Sequence, residues 1–248
     1  MSIWNLIFAL IGLFVGGLLN VLADDLPARI RPRRPHCPHC GHTYGLTGWL
    51  AVGRLQGGKC PICELPTPRR AIWLEFGTAL VFAVLPDLIE PGLDLVIYAV
   101  YAAVLILVIV IDIEHRLILH VVTFPTTVFA LIASEFLTDN NLPASALGAV
   151  VGFIFFYLAY AFGRRLFGAG AFGFGDVTLA MTMGAMLGLH RVIFALVLGV
   201  LLGGLWSLFG IITRRMHRFS YFAYGPFLAI GGLLMLVWGN AVLAWYIG

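Results

Sequence analysis

Charge is what this sequence lacks. Asp, Glu, Lys and Arg make up 11% of its 248 residues, against about 25% in a soluble domain. The hydrophobic share is 61%. That excess is too large for a soluble core and is what a membrane bundle needs, where core-facing and lipid-facing positions are both apolar. The formal net charge is only +3, which gives no support to nucleic-acid binding. No internal repeat or low-complexity segment is present, and no Rossmann-type glycine-rich nucleotide pattern. The start, Met-Ser-Ile-Trp-Asn, has no basic n-region, and arginines follow the first apolar run, so residues 1–23 read as a retained span rather than a cleaved leader. Cysteine is equally sparse: four residues, all in one polar stretch.

The apolar runs predict an all-α polytopic membrane protein with about eight transmembrane helices, at roughly 3–22, 71–88, 94–112, 119–137, 143–162, 174–189, 191–212 and 222–246. The sixth is short, rich in Gly and Ala, and starts near the glycine-rich stretch 168–175. The basic residues set an orientation. Arg29, Arg31, Arg33, Arg34, Arg54, Lys59, Arg69 and Arg70 crowd the polar stretch after the first span. With that stretch cytoplasmic and the N-terminus outside, Arg116, Arg164, Arg165, Arg214, Arg215 and Arg218 also fall inside. Only Arg191 falls outside, in company with Asp87, Glu90, Asp94 and Asp139. Three parts follow: a first helix (1–23), a cytoplasmic insert (24–70) and a seven-helix bundle (71–248).

The insert holds Cys37-Pro-His-Cys40 and Cys60-Pro-Ile-Cys63, with nineteen residues between the pairs. Two CxxC turns at this spacing predict a closed, tetrahedral, structural zinc site. Gly41 and the pair Gly57-Gly58 suit tight metal knuckles. Disulfides are disfavoured on the cytoplasmic face, and a four-thiolate site leaves no open catalytic position. A segment this small and polar needs such a staple. His36, His39 and His42 read as solvated loop residues, and the surrounding arginines also suit anionic membrane lipid.

Two carboxylates stand out in the bundle. Asp112 ends the apolar run from Val104, and Asp176 closes Gly173-Phe-Gly-Asp176. A carboxylate in a membrane helix costs about 2.5–3.5 kcal/mol at the centre and less near the interface, so each needs a reason. The topology sets both at the cytoplasmic end of their spans, 64 residues apart in sequence. Two carboxylates sharing a proton are the machinery of an aspartic protease. A helix-capping role suits Asp176, at a helix N-terminus, but not Asp112, near a C-terminus where the dipole is unfavourable.

These residues resemble the bacterial type IV prepilin peptidases, members of the GxGD intramembrane aspartic peptidases. Gly16-Gly17-Leu18-Leu19-Asn20-Val21 is similar to the family's GSFLNV, Trp73-Leu74-Glu75 to PLVE, Ile111-Asp112-Ile113-Glu114-His115 to IDLDH, Gly173-Phe174-Gly175-Asp176-Val177 to GxGDxK as far as the Asp, and Tyr224-Gly225-Pro226-Phe227-Leu228-Ala229 to FGPFLA. The cysteine insert falls in the expected place. Three positions depart. Asp24-Asp25-Leu26-Pro27 lacks the arginine of NVxxxRLP, Leu117-Ile118-Leu119-His120 stands where the family has LLPD, and Thr178 replaces the lysine after GxGD. The resemblance implies that Asp112 and Asp176 form a catalytic dyad. It implies cutting of the leader from type IV prepilins or type II secretion pseudopilins at the cytoplasmic face of the inner membrane. It further implies N-methylation of the new N-terminus with S-adenosylmethionine, an activity associated with the N-terminal cytoplasmic region. Two other readings keep the same fold. A transporter would use the aspartates as ion ligands, although such sites belong near the midplane. A non-catalytic assembly factor would have lost the activity.

Among the remaining polar residues, Asn20 reads as an interhelical contact, and His115 and His120 as interfacial. Glycines such as Gly184, Gly188, Gly199 and Gly203 read as sites of close helix packing, and Trp4, Trp238 and Tyr246 as interface anchors.

Overall fold

The structure is a computed structural model that describes residues 2–45, 49–51, 59–167, 173–213 and 223–247, with the side chains of 166, 167 and 247 excepted. Gly57, Gly58, Arg54, the glycine-rich residues 168–172, and Arg214, Arg215 and Arg218 lie outside the described residues. Seven α-helices follow in order: α1 (Ile3–Asp25), α2 (Arg69–Leu88), α3 (Leu93–His115), α4 (His120–Ala133, extended by a 3-10 turn Ser134–Phe136), α5 (Leu142–Phe167), α6 (Phe174–Ile212) and α7 (Gly225–Ile247). No β-strand occurs among the described residues, only two isolated bridges. Among the described residues six helices are long and apolar enough to cross a membrane, and a seventh apolar helix, His120–Phe136, is shorter. The chain is thus an all-helical, multi-pass membrane protein.

The chain forms two compact units, Met1–Val110 and Ile111–Gly248, dividing within α3. In the first, α1 packs on α2 through glycines: a methyl group on Gly12 would lie 2.7 Å from Phe82 Cβ, and one on Gly16 would lie 2.7 Å from Glu75 Cα. Asn20 donates to the Ala71 carbonyl at 3.0 Å and reaches Glu75 Oε1 at 3.4 Å, which makes it the interhelical contact expected.

In the second unit α6 is central, flanked by α4, α5 and α7. Gly148 and Gly184 let α5 and α6 meet backbone to backbone. Gly199 does the same against Leu228 of α7, where a methyl group would come within 2.9 Å of its Cα. The α4–α6 seam is polar instead: Thr127 and Thr182 hydroxyls meet at 2.9 Å, and Thr182 also bonds the Thr178 carbonyl at 2.8 Å.

At 39 residues α6 is about 58 Å long at 1.5 Å per residue, far beyond a hydrocarbon layer of about 30 Å. It is interrupted at Gly188, where φ is 72° and ψ is 177°. Gly188 is therefore a break point as well as a packing glycine, since a methyl group on Gly148 of α5 would lie 2.7 Å from its carbonyl carbon. A methyl group on Gly188 itself would also lie 2.7 Å from Asn140 Oδ1. Such backbone costs about 1–3 kcal/mol for other residues. Gly188→Ala is expected to lower the thermal midpoint of the detergent-solubilised protein, read by scanning fluorimetry.

Close to this break, Arg191 is buried and bound to Asp139 at 2.5 Å and to Asn240. The one arginine that the charge pattern sets outside is thus neutralised within the fold, as a buried cation requires.

Candidate active site and cysteine cluster

The cysteine cluster belongs to the first unit. Its two CxxC turns fold alike. Cys37 N–H donates to the His42 carbonyl and Cys60 N–H to the Leu65 carbonyl, both at 2.8 Å, and the chain is then bridged at His36–Thr43 and at Lys59–Pro66. The residue after each second cysteine has positive φ: Gly41 at 71° and Glu64 at 57°. Glycine reaches that conformation freely, and Glu64 reaches it held by its N–H bond to the Cys60 carbonyl at 2.9 Å.

All four sulfurs lie within 4.8 Å of one another, with Cys37–Cys63 and Cys40–Cys60 at 3.6 Å. Tetrahedral thiolates about 2.3 Å from a zinc ion would stand about 3.8 Å apart, whereas a disulfide needs about 2.05 Å. The donor set therefore fits a metal. The backbone N–H of Cys63 helps lower the Cys60 thiol to about 6, the direction that thiolate ligation needs.

Buried carboxylates tie this insert to the helix ends. Asp25, 1% exposed, accepts the Arg33 N–H at 3.0 Å and faces both Arg33 and His36 at 3.5 Å. His36 is therefore buried beside Asp25 rather than solvated as the sequence reading had it. Glu75, fully buried, accepts the Ala51 N–H at 2.7 Å. The sequence signal for Glu75 was a carboxylate inside an apolar run, whereas Asp25, next to Asp24 and four residues before Arg29, gave none.

The second unit holds the two aspartates, both buried. Asp176 lies in the first turn of α6, beside the Gly173 N–H. Asp112 lies in the last turn of α3, yet its carboxylate sits beside the backbone N–H of Gly225, the first residue of α7. That N–H is one of the donors a helix N-terminus leaves without an intrahelical partner. Asp112 is thus held at the positive end of another helix, which resolves its unfavourable place on its own. The two carboxylates are close enough to act on one another electrostatically. Tyr224, next to Gly225, feels Asp176 as well. Burial first, and then the Asp176 charge, push its hydroxyl well above the ordinary range, so it stays protonated.

Two glycines and one isoleucine fix this arrangement. A methyl group on Gly175 would lie 2.7 Å from Ile118 Cβ, and one on Gly225 would lie 2.6 Å from Asp112 Oδ2 and 2.9 Å from Ile118 Cδ1. Ile118, on the turn after α3, fills the space between the starts of α6 and α7. Sequence reading singled out neither Ile118 nor the Gly225 N–H, because each acts across long sequence separations. Gly225→Ala is expected to lower the melting temperature modestly, since the carboxylate tip must swing away from the Gly225 N–H, at a cost of about 1–3 kcal/mol. If the aspartates are catalytic, it should cut turnover about 10²-fold, the cost of misplacing a reacting group by about 1 Å. A cleavage assay beside a melting curve checks both.

A multi-pass helical membrane protein with two buried carboxylates at helix N-termini in one unit and a four-thiol cluster in another is the class these observations define. Residues 99–208 match the type IV leader peptidase family, and residues 10–86 match the bacterial Peptidase A24 N-terminal domain. Over these two segments the chain is similar to the type IV leader peptidase family. Similar proteins include the prepilin leader peptidase/N-methyltransferases of Aeromonas hydrophila (27% identical over 190 residues, 77% of this chain and 66% of the relative), Bacillus subtilis (28% over 192 residues, 77% and 75%) and Pseudomonas aeruginosa (25% over 274 aligned positions, 96% and 91%). The chain spans just under two thirds of the Aeromonas hydrophila relative. No solved structure matches it.

Proposed function

We propose that this chain is an intramembrane aspartic endopeptidase that removes the leader of type IV prepilins or type II secretion pseudopilins at the cytoplasmic face of the inner membrane. The observation that carries this reading is the pair of buried carboxylates, Asp112 and Asp176, held at the N-termini of α7 and α6 in a chain similar to the leader peptidase family. Two such groups in mutual repulsion favour holding one proton between them. The ionised carboxylate takes a proton from a water molecule, whose oxygen adds to the scissile carbonyl carbon. The protonated one gives its proton to the carbonyl oxygen. Collapse of the tetrahedral species breaks the C–N bond, and the proton first taken from water passes to the leaving nitrogen.

The basic residues of the insert and of the α3–α4 turn support an orientation with α1 entering from outside and the site facing the cytoplasm. The break at Gly188 supports counting α6 as two spans, which with α4 gives eight. The three-part division into a first helix, an insert at 24–70 and a bundle at 71–248 belongs to the same proposal. Cys37, Cys40, Cys60 and Cys63 would hold a structural zinc ion that folds the insert. N-methylation of the new N-terminus with S-adenosylmethionine draws its support from the relatives' names. We assign it no residue: Glu75, the buried carboxylate of the first unit, is already engaged by Ala51 and Asn20.

The test is cleavage of a panel of prepilin-like peptides by the chain in proteoliposomes. Release of the leader supports the proposal, and failure to cut any of the panel overturns it.

A further inference from the structure

We propose that His120 and Thr178 act as one unit, a matched donor and acceptor that fix the first turns of α6, and with them Asp176, against the start of α4. The proposal rests on the peptidase reading above. His120 opens α4, and Thr178 is buried two residues beyond Asp176. The Thr178 hydroxyl donates to the Gly175 carbonyl at 2.9 Å. Its proton is thereby used, and its oxygen is left to accept. It faces His120 Nδ1 at 3.3 Å and the Thr123 hydroxyl at 3.4 Å. We assign the proton of this pair to His120 Nδ1, as donor to the Thr178 oxygen. The imidazole is also seated against Phe124 and Phe174, with ring centroids 5.6 and 5.9 Å away, so its place does not depend on one bond. The anchored carbonyl belongs to Gly175, which packs on Ile118, two residues before His120. A short circuit therefore links the turn after Asp112 to the turn before Asp176.

Positions 120 and 178 are also two of the three places where this sequence departs from the family pattern. The pattern has an acidic residue at the first and a lysine at the second. Here the structure sets the two positions against each other. In the pattern the acceptor stands at 120 and the donor at 178; in this chain the donor is His120 and the acceptor is Thr178. The two departures are one exchange in which hydrogen-bond polarity is reversed at both ends and complementarity is kept. Either residue changed alone breaks the match. Lysine at 178 has no lone pair to offer His120 N–H. Aspartate at 120 faces a hydroxyl whose proton is engaged by Gly175.

His120 and Thr178 are positioning residues, and the test is a double-mutant cycle on the full chain in proteoliposomes with a prepilin-like peptide. His120→Asp and Thr178→Lys should each lower kcat about 10-fold, the scale of one mismatched hydrogen bond, with KM within about 2-fold. The double variant should recover to within about 3-fold of the starting chain. A single variant with unchanged kcat, or a double variant worse than both singles, overturns the proposal. Nitrogen-15 NMR of labelled histidine in detergent reads the pair without activity. The His120 signal should report the Nδ1–H tautomer and lose it in Thr178→Val. An Nε2–H tautomer in the unmodified chain overturns the pairing even if cleavage occurs. If the unmodified chain cuts no substrate, the peptidase reading fails, and the NMR signature still decides the contact.

Discussion

Asp112→Asn and Asp176→Asn should each abolish leader cleavage while leaving the protein folded. The Asn amide keeps the shape of the side chain and an oxygen for the Gly225 or Gly173 N–H, so the helix N-termini stay satisfied. What is lost is the ability to take up or release a proton. Positioned proton transfer contributes about 10²–10⁴-fold to a rate, and with both roles dependent on the pair each substitution should cost at least the lower figure. Alanine is the poorer probe at 112, because it leaves the Gly225 N–H buried without its acceptor, at a cost of about 1–3 kcal/mol. Cleavage kinetics in proteoliposomes beside thermal midpoints separate the effects. Either Asn variant cutting at the normal rate would remove that aspartate from the dyad.

The second large effect concerns the cysteines. If the cluster holds the proposed zinc ion, Cys37→Ser should strip it and unfold the insert, because structural zinc sites supply about 10–16 kcal/mol of apparent folding free energy, more than so small a segment gains from its own core. Metal content by mass spectrometry should fall from one zinc per chain to near none, and limited proteolysis should open the insert. A chelator strong enough to compete should reproduce both results. Acid should do so as well. Metal affinity falls as the pH drops because each ligand must be a thiolate, and Cys60, at about 6 against an ordinary 9.0, regains its proton only under more acid conditions than an ordinary thiol. A fully metallated Cys37→Ser chain with an intact insert would contradict the structural role.

Much of this was legible in the sequence because it is local. An apolar run of about 20 residues announces its own helix, and both CxxC turns are complete within four residues each. Gly41 beside the first knuckle and the two bundle aspartates in their apolar surroundings were visible in the same way. What escaped were features made by distant segments meeting. Asp112 sat badly on its own helix, and nothing in its neighbourhood could show that the start of α7 would supply its donor. His36 looked like one of three solvated loop histidines until Asp25, eleven positions earlier, took it inward. Gly188 was counted only as a packing glycine because periodicity cannot distinguish a small residue from a positive φ. The non-helical backbone at Gly188 interrupts α6 close to residue 190, where the sequence divides its sixth and seventh predicted spans. His120 and Thr178 looked like two independent departures from a pattern, since adjacency in space is not written in the spacing.

The Arg191 cluster has a consequence for how the chain is made. Asp139 precedes Arg191 by 52 residues and Asn240 follows it by 49. During synthesis the arginine therefore emerges with its counter-ion already present, and the amide that completes its shell arrives only with the last helix. Under the orientation proposed, Arg191 is the charge that must be carried across the bilayer, and Asp139 is the partner that accompanies it. Replacing Asp139 with Asn would send an uncompensated cation to be translocated, and the fault would surface as misinserted chains during biogenesis before it surfaced as a weakened finished enzyme.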